Sequence, residues 1–384
     1  MKTHLVALVQ LPPPIHGAAI MNQRALAALQ AQYRVTILPM RFTPTIAAIG
    51  KTGIGKILSG LRLWIRLIGV IFRDRPDALY ICLAPRGAAF WRDGFYVASA
   101  RLAGIPCLAH LHGRGLQDGI LQRFFARLVL HGQTVILPGD ALRDEVAGLA
   151  CDIRILPNCV SADDFASPDR PPIHRARPLN LLFLSNLIAT KGIDTVIAAT
   201  SILRERNIEF DLVFAGAEGD ITTDQLHRKI RDAGLSDQCR YHGPVTGAAK
   251  SALLAQADLL LFPSRYRNEA QPLVVLEAMA ANLPVICSPV GTLGDIIRDG
   301  ETGRICAPDN PFDLADKIVL ARDNPQQTVK MARAARALCQ EHFGAENFGR
   351  ILRHLVRDCL LISPAMPNKN GHAASQCKEA PDDP

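Results

Sequence analysis

Along this chain, short and continuously apolar runs alternate with longer stretches in which apolar positions recur every three or four residues. HLVALVQL (4–11), RVTILPM (34–40), ALYICLA (78–84), IPCLAHLH (105–112), TVILPG (134–139) and IRILPN (153–158) are short and apolar, which predicts strands. Between them, NQRALAALQAQ (22–32), a segment over 56–73, FYVASARLAG (95–104), LQRFFARLVLH (121–131) and ALRDEVAGL (141–149) carry helical periodicity. Apolar strands with no polar alternation must be buried on both faces. Strands of that kind joined through helices predict a parallel sheet.

The alternation pauses at ASPDRPPIHRARP (166–178), whose prolines and charges predict a linker. It restarts with LNLLFLS (179–185), FDLVFAG (210–216), CRYHG (239–243), LLLFPS (259–264), LPVICSP (283–289) and GRICAP (303–308). The expectation is therefore α/β, with an N-terminal domain over 1–170, a C-terminal domain over 171–345 and a last helix over 346–363. The remainder, 364–384, has no periodicity and is expected to be disordered. Two Rossmann-like parallel-sheet domains facing each other would form a cleft at the carboxyl ends of their strands.

Composition narrows this picture. At 384 residues the chain is too long for one ordinary domain and suits two. None of the ten cysteines forms a C-x-x-C pair, and most lie in apolar runs, which points to reduced core thiols in the cytoplasm. The apolar part of MKTHLVALVQLPPP is too short for a secretory signal, and no apolar run reaches the ~20 residues of a spanning helix. The net charge of +7 is uneven: residues 1–170 hold 19 Lys and Arg against 11 Asp and Glu, the rest 24 against 25. A basic front half attracts phosphates or anionic lipid. It carries no recognition-helix or RNA-binding signature, so nucleic acid is not an expected partner.

The candidate chemistry lies near the expected strand ends. NEAQPLVVLEAMAANLPV (268–285) places Glu269 and Glu277 in otherwise small and apolar surroundings. A buried carboxylate needs donors, either from the protein or from a ligand such as a polyol. From spacing alone, a helix cap with an internal salt bridge and a ligand site are equally open. Lys191 stands at the start of a helix, where the dipole disfavours a cation unless an anion is also bound. His112 ends a strand before a glycine, and LPPPIHGAAIMN sets Gly17 between strand and helix. Neither a dinucleotide fingerprint nor a P-loop is present in usable form.

Together these segments carry a resemblance. EAQPLVVLEAMAANLPVI is similar to the glutamate, seven residues, glutamate hallmark of glycosyltransferase family 4, retaining enzymes of the GT-B architecture. FLSNLIATKGIDTVIAA, LVFAGAEGD, ILPNCVSADDF and PVGTLGDIIRDGETGRICAPDN resemble further segments of that family in the same order. The resemblance spans about residues 1–350 and is stronger in the second half. It implies a nucleotide-diphosphate sugar donor and a saccharide or lipid-linked saccharide acceptor, in polysaccharide or lipopolysaccharide biosynthesis, with no cofactor and no bound metal. It implies that Glu277 accepts the ribose hydroxyls, that Glu269 and His112 lie at the sugar, and that Lys191 pairs with the diphosphate. The backbone at Leu273 and Val274 would face the phosphates, and Gly17, Asn186 and Gly216 would complete the donor site. Asn186 stands where the family usually has an arginine, and Gln271-Pro272 where it has Phe-Gly. A nucleotide-sugar epimerase on the same architecture, or a catalytically silent relative, stays open as an alternative.

One segment stands outside this scheme. Residues 51–75 hold six Lys and Arg against Asp74. Lys56, Arg62, Trp64, Arg66 and Arg73 among leucines and isoleucines suit a basic amphipathic helix on an anionic membrane surface, peripheral to the inner face of the cell membrane. An ordinary covering helix with a solvated basic face is the alternative.

Overall fold

A computed structural model of the chain describes residues 2–42, 53–166, 171–174 and 177–362. It contains two six-stranded sheets, parallel at every pairing. The first comprises β1 (His4–Val9), β2 (Arg34–Pro39), β3 (Ala78–Leu83), β4 (Cys107–Leu111), β5 (Thr134–Leu137) and β6 (Asp152–Ile155), in the order β2-β1-β3-β4-β5-β6. The second comprises β7 (Leu179–Leu184), β8 (Phe210–Ala215), β9 (Cys239–Gly243), β10 (Leu259–Phe262), β11 (Val285–Cys287) and β12 (Arg304–Ile305), in the order β12-β11-β10-β7-β8-β9. Every strand falls within one of the twelve runs named above except β6, which begins one residue earlier, at Asp152. β1, β3, β4 and β5 are buried along their whole length, as strands covered on both faces must be.

Helices α1 (Gly17–Gln30), α2 (Ile54–Asp74), α3 (Gly87–Leu102) and α4 (Ile120–Leu130) cover the first sheet. The chain continues through α5 (Ile193–Glu205), α6 (Thr223–Asp232), α7 (Gly247–Gln256), α8 (Leu273–Ala280), α9 (Leu293–Ile296), α10 (Pro311–Asp323), α11 (Pro325–His342) and α12 (Ala345–Ile362). Alternation along β1 divides the first domain's core. Leu5, Ala7 and Val9 join Met21 and Leu29 of α1 with Leu352 and Val356 of α12. Val6 and Leu8 point the other way, to Leu63 and Leu67 of α2, Phe90 and Val97 of α3, and Ala126 and Val129 of α4. So α12, the last described helix, packs beneath the first sheet. The Tyr33 hydroxyl donates to the Arg353 carbonyl at 3.1 Å, and Arg154 pairs with Asp358 at 3.3 Å. The two passages of chain between the sheets run side by side: the Val160 amide donates to the Phe343 carbonyl at 2.8 Å, and Val160 bridges Gly344 in parallel.

The structure corrects several sequence expectations. Residues 141–149 do not form an α-helix; a 3-10 turn spans Asp140–Val146. This turn brings the Glu145 carboxylate inward to accept the amides of Gly115 and Leu116 at 2.8 and 3.0 Å. α1 starts five residues before the expected position, at Gly17, because the His16 ring caps it through the Ala19 amide rather than a Ser, Thr, Asp or Asn. Trp64 is exposed on α2, and its indole donates to Ser99 of α3 at 2.9 Å. Arg73 pairs with its neighbour Asp74 at 3.1 Å. The nine described cysteines are free thiols, eight of them buried. The tail over 364–384 and parts of the linker lie outside the described residues. Among the described residues no helix is long and apolar enough to cross a membrane.

Candidate active site at the strand ends

In an open parallel sheet the natural ligand crevice lies where the strand order reverses, because the loops there diverge to opposite faces. In the second sheet that point lies between β7 and β10. The loops leaving these two strands carry Lys191 and Glu269. They approach so closely that Gly192, at φ +94°, has no room for a side chain: a Cβ there would meet the Pro263 carbonyl oxygen at 2.3 Å. Lys191 ends a short 3-10 turn just before Gly192. Its ammonium forms an ion pair with Glu269 and lies over the Tyr266 ring, 4.8 Å from the centroid. The two side chains are only 12% and 11% exposed, so each neutralises a charge that would otherwise be buried alone.

Glu277 lies in α8, which starts at Leu273 with Pro272 as its cap. It is buried and pairs with Lys250 of α7 at 2.6 Å. Both glutamates of the motif therefore have a lysine partner within the protein. Between them is the N-terminus of α8, where the Leu273 and Val274 amides have no helical acceptor and the helix dipole favours an anion. Gly17 faces this end: a Cβ on it would lie 3.9 Å from Leu273 Cδ1. Gln271 accepts from the Asn158 amide through its side chain, and its carbonyl accepts from Asn158 Nδ2 at 2.8 Å. This departure from the family pattern ties the interdomain segment to the start of α8.

Gly216 and Asn186 act one layer behind. Past their strands, the loops after β7 and β8 continue pairing: Ser185 donates to Ala215 at 2.9 Å, Leu187 to Ala217 at 2.8 Å and Ile221 to Leu187 at 3.0 Å. The Asn186 side chain accepts from the Ala217 amide at 3.4 Å. Asn186 is thus engaged in holding the glycine turn that supports the Lys191 loop.

His112 comes from the first domain, at the end of β4. The next residue, Gly113, meets the loop before Glu269, since a Cβ there would lie 3.5 Å from the Asn268 carbonyl oxygen. Asp118 of the same loop pairs with Arg267 at 2.8 Å. The His112 ring lies tilted against His110 with centroids 4.0 Å apart, and His110 Nδ1 is hydrogen-bonded to the Tyr80 hydroxyl at 2.7 Å. Burial, and secondarily His16, push the His112 imidazole down to about 4. Burial, and secondarily His112, hold His110 well below the ordinary range. Both rings are neutral at physiological pH, so His112 offers an uncharged donor or acceptor. The remaining candidates, Lys56, Arg62, Trp64, Arg66 and Arg73, lie on α2 and belong to another surface.

This has a consequence for stability. Unfolded, His112 binds its proton near 6.5; folded, near 4. The unfolded chain then holds more protons below pH 6.5, so this contribution to stability is complete above that value and is lost as pH falls towards 4. From about pH 7 to about pH 5 the loss is about 2 kcal/mol. Urea unfolding of the parent and of His112→Gln at both pH values checks it. The variant's pH dependence is expected to be shallower by that amount, and identical dependence would remove His112 as the source.

Comparison with known proteins gives these findings. The family model described as glycosyl transferases group 1 matches residues 169–338. Glycogen synthase of Mycobacterium tuberculosis (strain CDC 1551 / Oshkosh) is 30% identical over 333 residues, covering 82% of this chain and 75% of that relative. Sucrose-phosphate synthase from Thermosynechococcus elongatus superposes with a TM-score of 0.77 at 16% identity, over 94% of this chain and 100% of that one. Anabaena HepE in complex with UDP gives 0.71 at 17% identity, over 93% and 100%. Its complex with UDP-glucose gives 0.68 at 17%, over 92% and 99%. At these identities the structures speak to the fold, which is the expected GT-B arrangement of two Rossmann-like domains.

Proposed function

As a member of the glycosyl transferases group 1 family, to which this chain belongs, it is a glycosyltransferase, and from that premise we propose that it moves a sugar from a nucleoside-diphosphate donor to a hydroxyl of a saccharide or lipid-linked saccharide, with retention of anomeric configuration. The reading extends to polysaccharide or lipopolysaccharide biosynthesis, in keeping with a glycogen synthase relative. The observation that carries it is the Lys191–Glu269 pair at the reversal of strand order, beside the open N-terminus of α8. HepE, solved with UDP and with UDP-glucose, supports a donor of this class.

The two charges of the pair suit the two halves of such a donor. A diphosphate draws the Lys191 ammonium and the Leu273 and Val274 amides. The sugar hydroxyls then replace Lys191 as donors to Glu269. One buried ion pair is exchanged for two complementary contacts, and neither charge is left alone. As the bond to the diphosphate breaks, negative charge grows on the leaving oxygen. A fixed cation and a helix N-terminus stabilise that charge more strongly than the ground state, which accelerates transfer. His112, neutral and on the opposite wall, would hold the sugar without competing for the phosphates. UDP-glucose with a panel of saccharide acceptors tests the proposal. Release of nucleoside diphosphate with an α-linked product is expected; sugar interconversion on the nucleotide, or no turnover of any nucleotide sugar, would overturn it.

Glu277 is assigned to the ribose. Glu277→Ala is expected to weaken binding of UDP alone by roughly 1–3 kcal/mol, since ribose hydroxyls lose a charged acceptor. Lys250, at 20% exposure, can turn to water when its partner is removed, which limits the cost to folding. Calorimetry decides, and equal affinities in parent and variant would end the ribose assignment.

A further inference from the structure

α2, α3 and α4 lie on one side of the first sheet, and their inner faces fill its core. Their outer faces should be uniformly polar, but large apolar side chains stand among the basic ones. Of the 18 large apolar side chains exposed among the described residues, 14 lie on these three helices. Ile57, Leu61 and Ile65 stand out from α2, Phe95 from α3, and Leu121 and Phe124 from α4. Scattered apolar residues on a surface are ordinary; this concentration is not. An aromatic cluster joins α3 to α4, with Trp91 stacked on Phe125 at 4.8 Å and Phe95 against the same ring at 5.6 Å.

Charge identifies the occupant. The three helices carry eight Lys and Arg against two acids. Asp93 is buried against Arg92, and Asp74 pairs with Arg73. A second copy of this chain docked through the same face would set one basic surface against another. A protein partner would need both an apolar surface as broad as three helices and acids to match the arginines. An anionic bilayer satisfies both features, since apolar side chains enter the acyl boundary while guanidinium groups stay among the headgroups. We propose that the α2–α3–α4 face docks on anionic lipid, with α4 as a second anchor beside α2. Ile120 and Leu121, 87% and 76% exposed, begin α4 immediately after the loop that carries His112 and Asp118. Docking therefore brings the bilayer to the rim of the cleft, and, on the transferase reading above, the acceptor arrives from the lipid surface.

The test uses the full chain and vesicles of phosphatidylcholine with or without phosphatidylglycerol, sedimented at low and at physiological salt. Binding to the anionic vesicles, weakened by salt, is expected. Replacing Arg62, Arg66, Arg123 and Arg127 together by Gln should lower partition by about a hundredfold or more. Leu121→Ser with Phe124→Ser, on α4 alone, should lower it by about tenfold or more at both salt concentrations. Retained melting temperature and UDP binding in both variants show that the fold is intact. Three results would overturn the proposal: unchanged partition in both variants, equal binding to neutral vesicles, or a concentration-dependent dimer that the serine variant abolishes. Vesicle binding needs no donor. Normal docking without release of nucleoside diphosphate from any donor would therefore sink the transferase reading and leave the surface assignment standing.

Discussion

Lys191→Met is expected to lower turnover by about two to three orders of magnitude, the scale on which removal of one preorganised donor at a developing anion acts. Asn186 occupies the position where the resemblance leads one to expect an arginine, and its side chain is engaged by the Ala217 amide. On the proposed donor assignment, Lys191 would then meet more of the diphosphate charge. Its loss also leaves Glu269 buried without a partner, which destabilises the fold in its own right. The double variant Lys191→Met, Glu269→Gln separates the two effects, because neither charge is stranded. If the assignment holds, the double variant recovers stability but not turnover. Glu269→Gln alone should lower turnover while UDP binds as well as in the parent or better, since Lys191 no longer divides its attention between carboxylate and phosphate. His112→Ala should show the same separation of turnover from UDP affinity. Near-parental kcat in any of these, with the fold intact, removes that residue from the catalytic set.

The second large effect is expected at Gly216, a residue that need not touch a substrate. It adopts φ +149°, and a Cβ there would sit 1.9 Å from the Ser185 carbonyl oxygen and 2.9 Å from the Asn186 amide nitrogen. Both neighbours are backbone, so relief requires the loops after β7 and β8 to separate. Those loops are joined by the hydrogen bonds that carry the chain towards Lys191. Gly216→Ala should cost about 3 kcal/mol or more of stability, and turnover should fall with it. Gly17→Ala is the informative contrast. Its Cβ makes only an ordinary contact, at 3.9 Å, with Leu273. Stability should stay near that of the parent, while the added methyl projects at the N-terminus of α8 and weakens donor binding. Thermal unfolding of the two variants gives the comparison, and equal melting temperatures would contradict the crowding read at Gly216.

The inner strands were legible because a strand covered on both faces needs an apolar residue at nearly every position, and that requirement is local; the edge strands β2, β6 and β9 are only partly buried and were read from their place in the alternation. Glu269 and Glu277 stood out because carboxylates in a run of small apolar residues conflict with their surroundings, and Lys191 because a cation at a helix start opposes the dipole. Their partners were only partly so. Lys250 sits in a helix with no motif, and its relation to Glu277 exists only once α7 and α8 pack together. His110 reads as one residue of an apolar strand until Tyr80 and His112 close on it. The 3-10 turn over 140–146 was hidden because its geometry answers to Glu145 reaching the loop at 115–116, not to its own periodicity. Periodicity gave α4 as a helix but could not say how much of its apolar surface faces outward; that depends on how many neighbours a sheet-covering helix acquires.

The return of α12 to the first sheet bears on how such a protein can be recombined. A chimera that joins the front half of this chain to the back half of a relative, cut at the proline-rich linker, would take the first sheet from one parent and the helix beneath it from the other. Leu352 and Val356 would then meet a surface formed by side chains other than Leu5, Met21 and Leu29. The inheritable unit is thus discontinuous, the front half together with residues 345–362. The Val160–Phe343 hydrogen bond and the bridge to Gly344 mark where both splices belong.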